Sequence, residues 1–202
     1  GIPAPGRKGI NNFLAATHHA ALAQSQGGRI IKSIQPQSNV GTTFSCSHID
    51  PFRPHEKDIL AAKKVDALLN RLFIEPLLGL GYPFSELKVL KRIEKFIKQN
   101  DEQNLAFNMD FIGLQNYTRE MVTHSAFMPF IKAKIIKANR RNVETTLMNW
   151  EVYPESIYHI LKKYSAYKNI PPWSSTEKGA AFNDEGRDGQ VFDSRSLHFV
   201  KY

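Results

Sequence analysis

The chain has 202 residues, of which 42% are hydrophobic and 23% charged, so it contains enough apolar material for one packed core. No apolar run approaches the roughly 20 residues of a membrane-spanning helix, and the first residues lack the charged start and apolar centre of a signal peptide. We therefore expect a globular protein with no membrane partner and a cytoplasmic location. The chain does not begin with Met, so its start can be trimmed or internal to a longer protein.

The cysteine and histidine residues do not indicate a metal site or redox chemistry. Cys46 is the single cysteine, which excludes an internal disulfide and a multi-cysteine metal site. The adjacent His18 and His19 fall on a predicted helix, where neighbouring side chains point about 100° apart and cannot easily share one ion. We predict a packed or surface histidine pair, no metal site and no cofactor.

The net charge of +8 raises the possibility of an acidic partner. The densest basic cluster runs from Lys132 to Arg141, where apolar and basic residues alternate without aromatic residues that could stack on bases. This pattern favours a solvated flank over a nucleic-acid site, and a basic nucleic-acid binder stays as an alternative.

Helices and strands alternate in the first half of the chain. A helix is predicted from Asn11 to Gly28, because Asn can cap its start and the glycine pair can end it. Short apolar runs at Arg29–Ile34 and Val40–Cys46 predict two strands. A second helix is predicted from Asp58 to Pro76, since its apolar residues form a continuous stripe.

The alternation continues in the second half. A charged helix is predicted over Glu86–Gln99, followed by a buried strand over Asp110–Thr118 that ends in polar residues. Thr118–Glu144 is weakly patterned and is expected to be a long connection across the mouth of a barrel. An amphipathic helix over Ile157–Tyr164 and a short strand over Trp173–Thr176 follow, and a polar loop is predicted from residue 183 onward.

Glu177 stands at the carboxyl end of the last of these strands. Strands that alternate with helices indicate a parallel α/β barrel, in which ligands bind and chemistry occurs at the carboxyl ends of the strands. Gly179 gives the backbone room to turn away beneath the carboxylate. An exposed loop glutamate is the alternative, and the neighbouring residues alone do not separate the two.

Three segments carry a resemblance to a known family. Thr176-Glu177-Lys178-Gly179-Ala180 resembles the Thr-Glu-Asn-Gly-Ala motif of glycoside hydrolase family 1, the β-glucosidase and β-galactosidase family, with Lys178 in place of Asn. Asp110–Thr118 is similar to the family's Asp-Phe-Ile-Gly-Leu-Asn-Tyr-Tyr-Thr strand, and 149–155 is similar to its Gly-Trp-Glu-Val-Tyr-Pro-Glu segment.

The resemblance implies roles for individual residues. Glu177 matches the catalytic nucleophile, and Tyr117 matches the tyrosine that holds the nucleophile carboxylate. Gln115 and Asn116 replace the family's Asn and first Tyr and are candidate substrate-binding residues. Trp150 matches the tryptophan that flanks the leaving-group subsite. The alternatives are that Tyr117 closes a strand at the surface and that Trp150 belongs to the core.

The resemblance also implies a partial (β/α)8 TIM barrel that runs from helix 4 to just past strand 7, so that residues 1–202 form a single partial domain. The implied activity is retaining hydrolysis of terminal β-D-glycosides, with a β-glucoside, a β-galactoside or an oligosaccharide as substrate. The family's Asn-Glu-Pro motif is missing from the sequence, so the acid/base glutamate must come from the remainder of the barrel. The alternative is an inactive carbohydrate-binding or interaction fragment of a glycosidase.

Overall fold

The computed structural model describes residues 6–183, 186–187, 190–191 and 193–200. Residues 1–5 lie outside them, as do the parts of the polar loop predicted from residue 183 onward that fall at 184–185, 188–189, 192 and 201–202. The α-helices are α1 (Ile10–Ile34), α2 (Glu56–Asp66), α3 (Leu72–Leu77), α4 (Asp101–Leu105), α5 (Ser156–Tyr164) and α6 (Ser194–Val200). The strands are β1 (Gly41–Ser45), β2 (His48–Pro51), β3 (Phe111–Gln115), β4 (Arg119–His124), β5 (Ala133–Ile136), β6 (Trp173–Glu177), β7 (Gly186–Arg187) and β8 (Gln190–Val191).

The central sheet has the order β1-β3-β6, and all its strands are parallel. Each strand is separated from the next by helical segments, as expected for adjacent units of a (β/α)8 barrel. The β3–β6 ladder shifts register, because Leu114 faces Ser175 while Gln115 faces Glu177. Thr176 is therefore an extra residue in β6, a β-bulge immediately before the carboxyl end of the strand.

The two faces of this sheet differ in polarity. Phe44, Ile112 and Leu114 are buried in the main core with residues of α1, α3 and α5. On the opposite face Gly113 lies so close to the side chains of Thr43 and Thr176 that a Cβ would clash with them. The apolar face thus packs against the helices, and the face of small and polar residues forms the inner wall of the partial barrel.

A second sheet follows the carboxyl ends of the first. Strand β2 pairs with β4 in parallel, and β4 pairs with β5 in an antiparallel hairpin that packs on α2. The long connection predicted over Thr118–Glu144 therefore contains two strands, β4 and β5, that its weak pattern did not indicate. Within β4 the burial alternates weakly, with Val122 as its fully buried residue, so the period-two signal of a strand is faint.

Helix α1 does not end at its glycine pair but continues to Ile34, so the strand predicted over Arg29–Ile34 is wrong. A Cβ at Gly28 would lie 2.5 Å from the ring of Phe107. The glycine therefore allows a close approach between helix and ring instead of ending the helix. Of the two adjacent histidines only His18 is packed: it is buried and forms hydrogen bonds with Tyr82 and Asp101, while His19 is exposed.

The remaining helix predictions need smaller corrections. Helix α2 begins at Glu56 with His55 as its cap, and a π-helix at Ala67–Arg71 joins it to α3. The predicted charged helix is a 3₁₀-helix over Lys88–Phe96, and a second 3₁₀-helix spans Ala138–Arg140. Helix α5 and strand β6 are confirmed. Among the helices described, none is both long and apolar enough to cross a membrane.

Candidate active site

Strand β6 ends with Glu177, beside the carboxyl end of β3. The side-chain amide of Gln115 donates a 2.9 Å hydrogen bond to Oε2 of Glu177. The backbone N–H of Asn116 donates a 3.0 Å bond to the carbonyl of the same glutamate. The carboxylate remains exposed on the inner side of the sheet, where it can meet a ligand.

Tyr117 lies next to this carboxylate. Burial, together with its interaction with Glu177, raises the pKa of Tyr117 to about 12. The phenol is therefore protonated at neutral pH, and its O–H is available as a donor to the carboxylate. A donor of this kind favours the charged form of a carboxylate and holds it in one orientation.

Trp150 completes the group. Its ring centroid lies 5.3 Å from that of Tyr117, at an interplanar angle of 40°. The residue is 37% exposed, so it is not part of the core. The structure thus brings together four residues from three separate parts of the sequence: Gln115 and Tyr117, Trp150, and Glu177.

Asn116 does not join them. It is 1% exposed, and its amide donates to the carbonyl of Cys46 at 2.8 Å and to Oγ of Ser156 at 3.0 Å. Successive side chains around the end of a strand point to opposite faces, so Asn116 is turned toward the helices while its neighbours face the inner wall. The predicted substrate contact of Asn116 does not agree with this position.

Lys178, which replaces the family's Asn, lies next to α6. Its Nζ lies 5.3 Å from the centroid of the Phe199 ring in α6. Burial lowers the pKa of Lys178. A cavity of about 360 Å³ adjoins this lysine and Glu177, and Ile157 and Val200 are among the residues that line it.

Sequence reasoning missed an ionic cluster next to the site. Arg119 donates hydrogen bonds to both carboxylate oxygens of Glu151, at 2.9 and 2.8 Å, and Arg141 donates another at 2.7 Å. Burial alone would raise the pKa of Glu151, but the two arginines outweigh it and hold the pKa below its usual range. The partners are far apart in sequence, and the proximity of Glu151 to Trp150 was the one available signal.

This cluster gives Arg141, at the end of the basic segment, a structural role as a partner of Glu151, with a side chain that is only 7% exposed. In the part of the chain that the structure describes, no group of three or more His, Cys, Asp or Glu side chains is arranged to hold a metal ion.

Comparisons with known proteins agree with the fold and with the family that the sequence resembles. β-Glucosidase A of Thermotoga maritima is 31% identical over 206 residues, covering 100% of this chain and 45% of the relative. β-Glucosidase A of Acetivibrio thermocellus is 28% identical, with the same coverage. A structure of the Thermotoga maritima family 1 glycoside hydrolase, complexed with a cyclophellitol analogue transition state mimic, matches with a TM-score of 0.86 and 29% identity. That match covers 98% of this chain and 44% of the solved one.

The chain therefore spans about 45% of the length of the curated relatives it matches. The fold is confirmed as part of a (β/α)8 barrel, since its parallel strands and helices superpose on a portion of these enzymes. The model of the family described as Glycosyl hydrolase family 1 matches residues 1–202, and the chain belongs to that family.

Proposed function

We propose that this chain is the carboxyl-side part of a retaining β-glycosidase, similar to the β-glucosidases, that hydrolyses terminal β-D-glycosides. The observation that carries the proposal is the position of Glu177 at the carboxyl end of a parallel strand, where Gln115 donates to its carboxylate and Tyr117 lies beside it. A β-glucoside, a β-galactoside or an oligosaccharide is the proposed substrate. A cytoplasmic location belongs to the same proposal, and the single Cys46 allows a reducing compartment.

In the proposed mechanism Glu177 attacks the anomeric carbon as the bond to the leaving oxygen breaks, which forms a covalent glycosyl-enzyme. A second carboxyl group, about 5 Å from the first in retaining enzymes, protonates the leaving oxygen and then removes a proton from the attacking water. Water displaces Glu177, and the product keeps the β configuration. Gln115 and Tyr117 orient the nucleophile through their hydrogen-bond donors.

Trp150 is proposed to contact the substrate on the leaving-group side. Its half-exposed indole stands next to Tyr117, on the same side of the sheet as the nucleophile. A flat aromatic face binds the C–H groups of a pyranose, or an aryl leaving group, while hydroxyl groups remain in water.

The second carboxyl group is proposed to come from the remainder of the barrel. In the described part of the chain no strand pairs with the outer edge of β1. A groove of about 300 Å³ runs beside this edge, and small or polar side chains of α1 and β1 line much of it: Thr17, Ala20, Ala21, Gln24, Thr43 and Ser45. These features support a further parallel strand at this edge, which would place its own carboxyl end beside Ser45.

The nucleophile is tested in the full-length protein that carries this chain. Glu177→Ala should abolish hydrolysis of an aryl β-glucoside, because no covalent intermediate can form, and azide should restore turnover with a product of inverted α configuration. A 2-deoxy-2-fluoro glycoside should label the parent protein at Glu177, as read by peptide mapping. Glu102→Ala, at an exposed carboxylate on α4, is the matched control and should retain activity.

Two results would contradict the proposal. One is a label on another carboxylate together with near-normal activity of Glu177→Ala. The other concerns the isolated 202-residue chain, which should hydrolyse aryl β-glucosides negligibly because the second carboxyl group is missing. Robust turnover by the mass-verified chain would show that it is not an incomplete catalytic unit.

A further inference from the structure

Tyr117 and Trp150 are in contact, and the residues that directly follow them are joined by hydrogen bonds. Oγ1 of Thr118 donates to the carbonyl of Glu151 at 3.0 Å. Arg119 then donates to both oxygens of the Glu151 carboxylate. The segment that carries Tyr117 and the segment that carries Trp150 are thus joined side by side at successive residues.

Glu151 is the anchor of the second segment. It is 4% exposed, and a buried carboxylate is stable only where cationic or polar groups bind it. Its carboxylate is therefore held by Arg119 and Arg141. Because Trp150 directly precedes Glu151, the backbone that carries this carboxylate also carries the indole.

Arg119 is itself held from two further sides. Its Nη1 lies 3.3 Å from Oδ2 of Asp50 in β2, and Asp50 in turn binds His48 at 3.0 Å. The guanidinium carbon lies 3.9 Å from the centroid of the Tyr153 ring. These contacts hold the guanidinium of Arg119 in one position on β4. The loop that carries Trp150 is bound to this guanidinium through Glu151.

The other bonds of that loop shape it without placing it against Tyr117. The N–H of Thr146 donates to the carbonyl of Trp150, and the N–H of Trp150 donates to Oγ1 of Thr146. One more bond, from the N–H of Leu147 to the carbonyl of Ala181, attaches the loop to the segment after Glu177.

We infer that Arg119 is a positioning residue for the leaving group: through its paired hydrogen bonds to Glu151 it holds Trp150 against Tyr117 and so determines how an aryl leaving group is bound. The inference rests on the proposed function, which places Trp150 on the leaving-group side. Lysine cannot replace this arginine, because a single ammonium does not offer the planar pair of donors that a carboxylate accepts.

The first test reads the position of Trp150 directly in the 202-residue chain. The chain has two tryptophans, and Trp173→Phe makes Trp150 the single reporter. The Trp173 indole N–H is buried without a hydrogen-bond partner, so its removal loses no hydrogen bond. In this background Arg119→Lys and Glu151→Gln should shift the Trp150 emission to longer wavelength and increase its quenching by acrylamide.

Arg53→Lys is the matched control for this spectrum. Arg53 also donates paired hydrogen bonds, at 2.8 and 3.3 Å, to a buried carboxylate, that of Asp58. This pair binds Thr123 and His124 of β4, the strand that also carries Arg119, but it does not touch Glu151. The control should lower thermal stability and leave the Trp150 emission unchanged.

The second test measures kinetics in the full-length protein with an aryl β-glucoside and with methyl β-glucoside. Arg119→Lys should raise KM for the aryl substrate about tenfold, with kcat little changed, because it removes binding that ground state and transition state share. KM for the methyl substrate should change less than about twofold, since a methyl group offers little surface to the face of the indole. Arg53→Lys should alter neither constant.

An unchanged Trp150 spectrum in folded Arg119→Lys and Glu151→Gln overturns the inference. So does an equal change of KM for both glycosides, which a merely structural role would produce. If the parent full-length protein hydrolyses neither glycoside, the proposed function fails, and the spectra alone still decide whether Arg119 positions Trp150.

Discussion

The side-chain amide of Gln115 reaches the carboxylate of Glu177 because strand β6 contains one residue more than the ladder requires. The register shift makes Glu177, not Thr176, the partner of Gln115. Thr176 still lies close to Gly113 on the inner face. Two successive residues of β6 therefore point to the same side, which a regular strand does not allow, and the bulge turns the carboxylate toward the site.

This arrangement predicts the effect of changing Gln115. Gln115→Leu removes the donor to Glu177 without disturbing the core, since the residue is half-buried at the end of its strand. We expect kcat of the full-length protein to fall about tenfold, which corresponds to about 1.4 kcal/mol of lost transition-state stabilisation. Gln115→Asn keeps an amide and should retain more activity than the leucine variant. A normal kcat in Gln115→Leu would show that this hydrogen bond does not contribute to catalysis.

The high pKa of Tyr117 predicts its titration. Ordinary tyrosines ionise with a pKa of about 10. In the folded protein the phenol of Tyr117 should still be protonated at that pH and should ionise near pH 12. Because the folded pKa is above the unfolded one, the stabilisation from this phenol is complete below pH of about 10 and is lost as the pH rises through the folded pKa.

The phenolate absorbance of the parent, minus that of Tyr117→Phe, measures this titration. Glu177→Gln should lower the pKa of Tyr117 by removing the nearby negative charge. The decrease should be partial, since burial is the larger cause of the shift. No decrease in the glutamine variant would mean that the phenol and the carboxylate do not interact in solution.

Asn116, the neighbour of Gln115, should show the opposite phenotype. Asn116→Ala leaves the carbonyl of Cys46 and the hydroxyl of Ser156 without this buried donor. We expect the free energy of unfolding to decrease by about 2 kcal/mol, as measured by urea denaturation. Gln115→Ala is the control and should change stability by less than about 0.5 kcal/mol. Equal losses in the two variants would contradict the different orientations of these side chains.

The glycine pair of α1 offers a test within one helical turn. A Cβ at Gly27 meets no atom within 4 Å, so Gly27→Ala should stabilise the helix by about 0.5–1 kcal/mol. A Cβ at Gly28 would lie 2.5 Å from the Phe107 ring, so Gly28→Ala should destabilise the protein by about 1–3 kcal/mol. Thermal unfolding of both variants checks the pair, and a stabilised Gly28→Ala would contradict the close packing.

The sequence carried more information about the site than about its surroundings. Strand β6 was predicted from its own residues, and the proximity of Tyr117 to Glu177 was expected from the resemblance to the family; the structure agrees with both. The orientation of Asn116 could not be obtained in this way, because it depends on how β3 ends and on which face the helices cover.

The errors in the fold have a common physical cause. A glycine pair usually ends a helix, and the contact that explains Gly28 comes from Phe107, far away in sequence. The second sheet was missed because its strands are paired with each other and covered by α2, while their own apolar pattern is weak. Arg119 and Glu151 are likewise ordinary charged residues until folding places them together in a buried pair.

The unpaired outer edges of the central sheet also bear on the solubility of the chain. Strand β6, like β1, has no partner on its outer side within the described residues, and an unpaired edge is a template for association with another molecule. A charged side chain on such an edge opposes this association. Glu177 is charged and exposed at the end of β6, so a neutral residue at this position removes a barrier to aggregation together with the nucleophile.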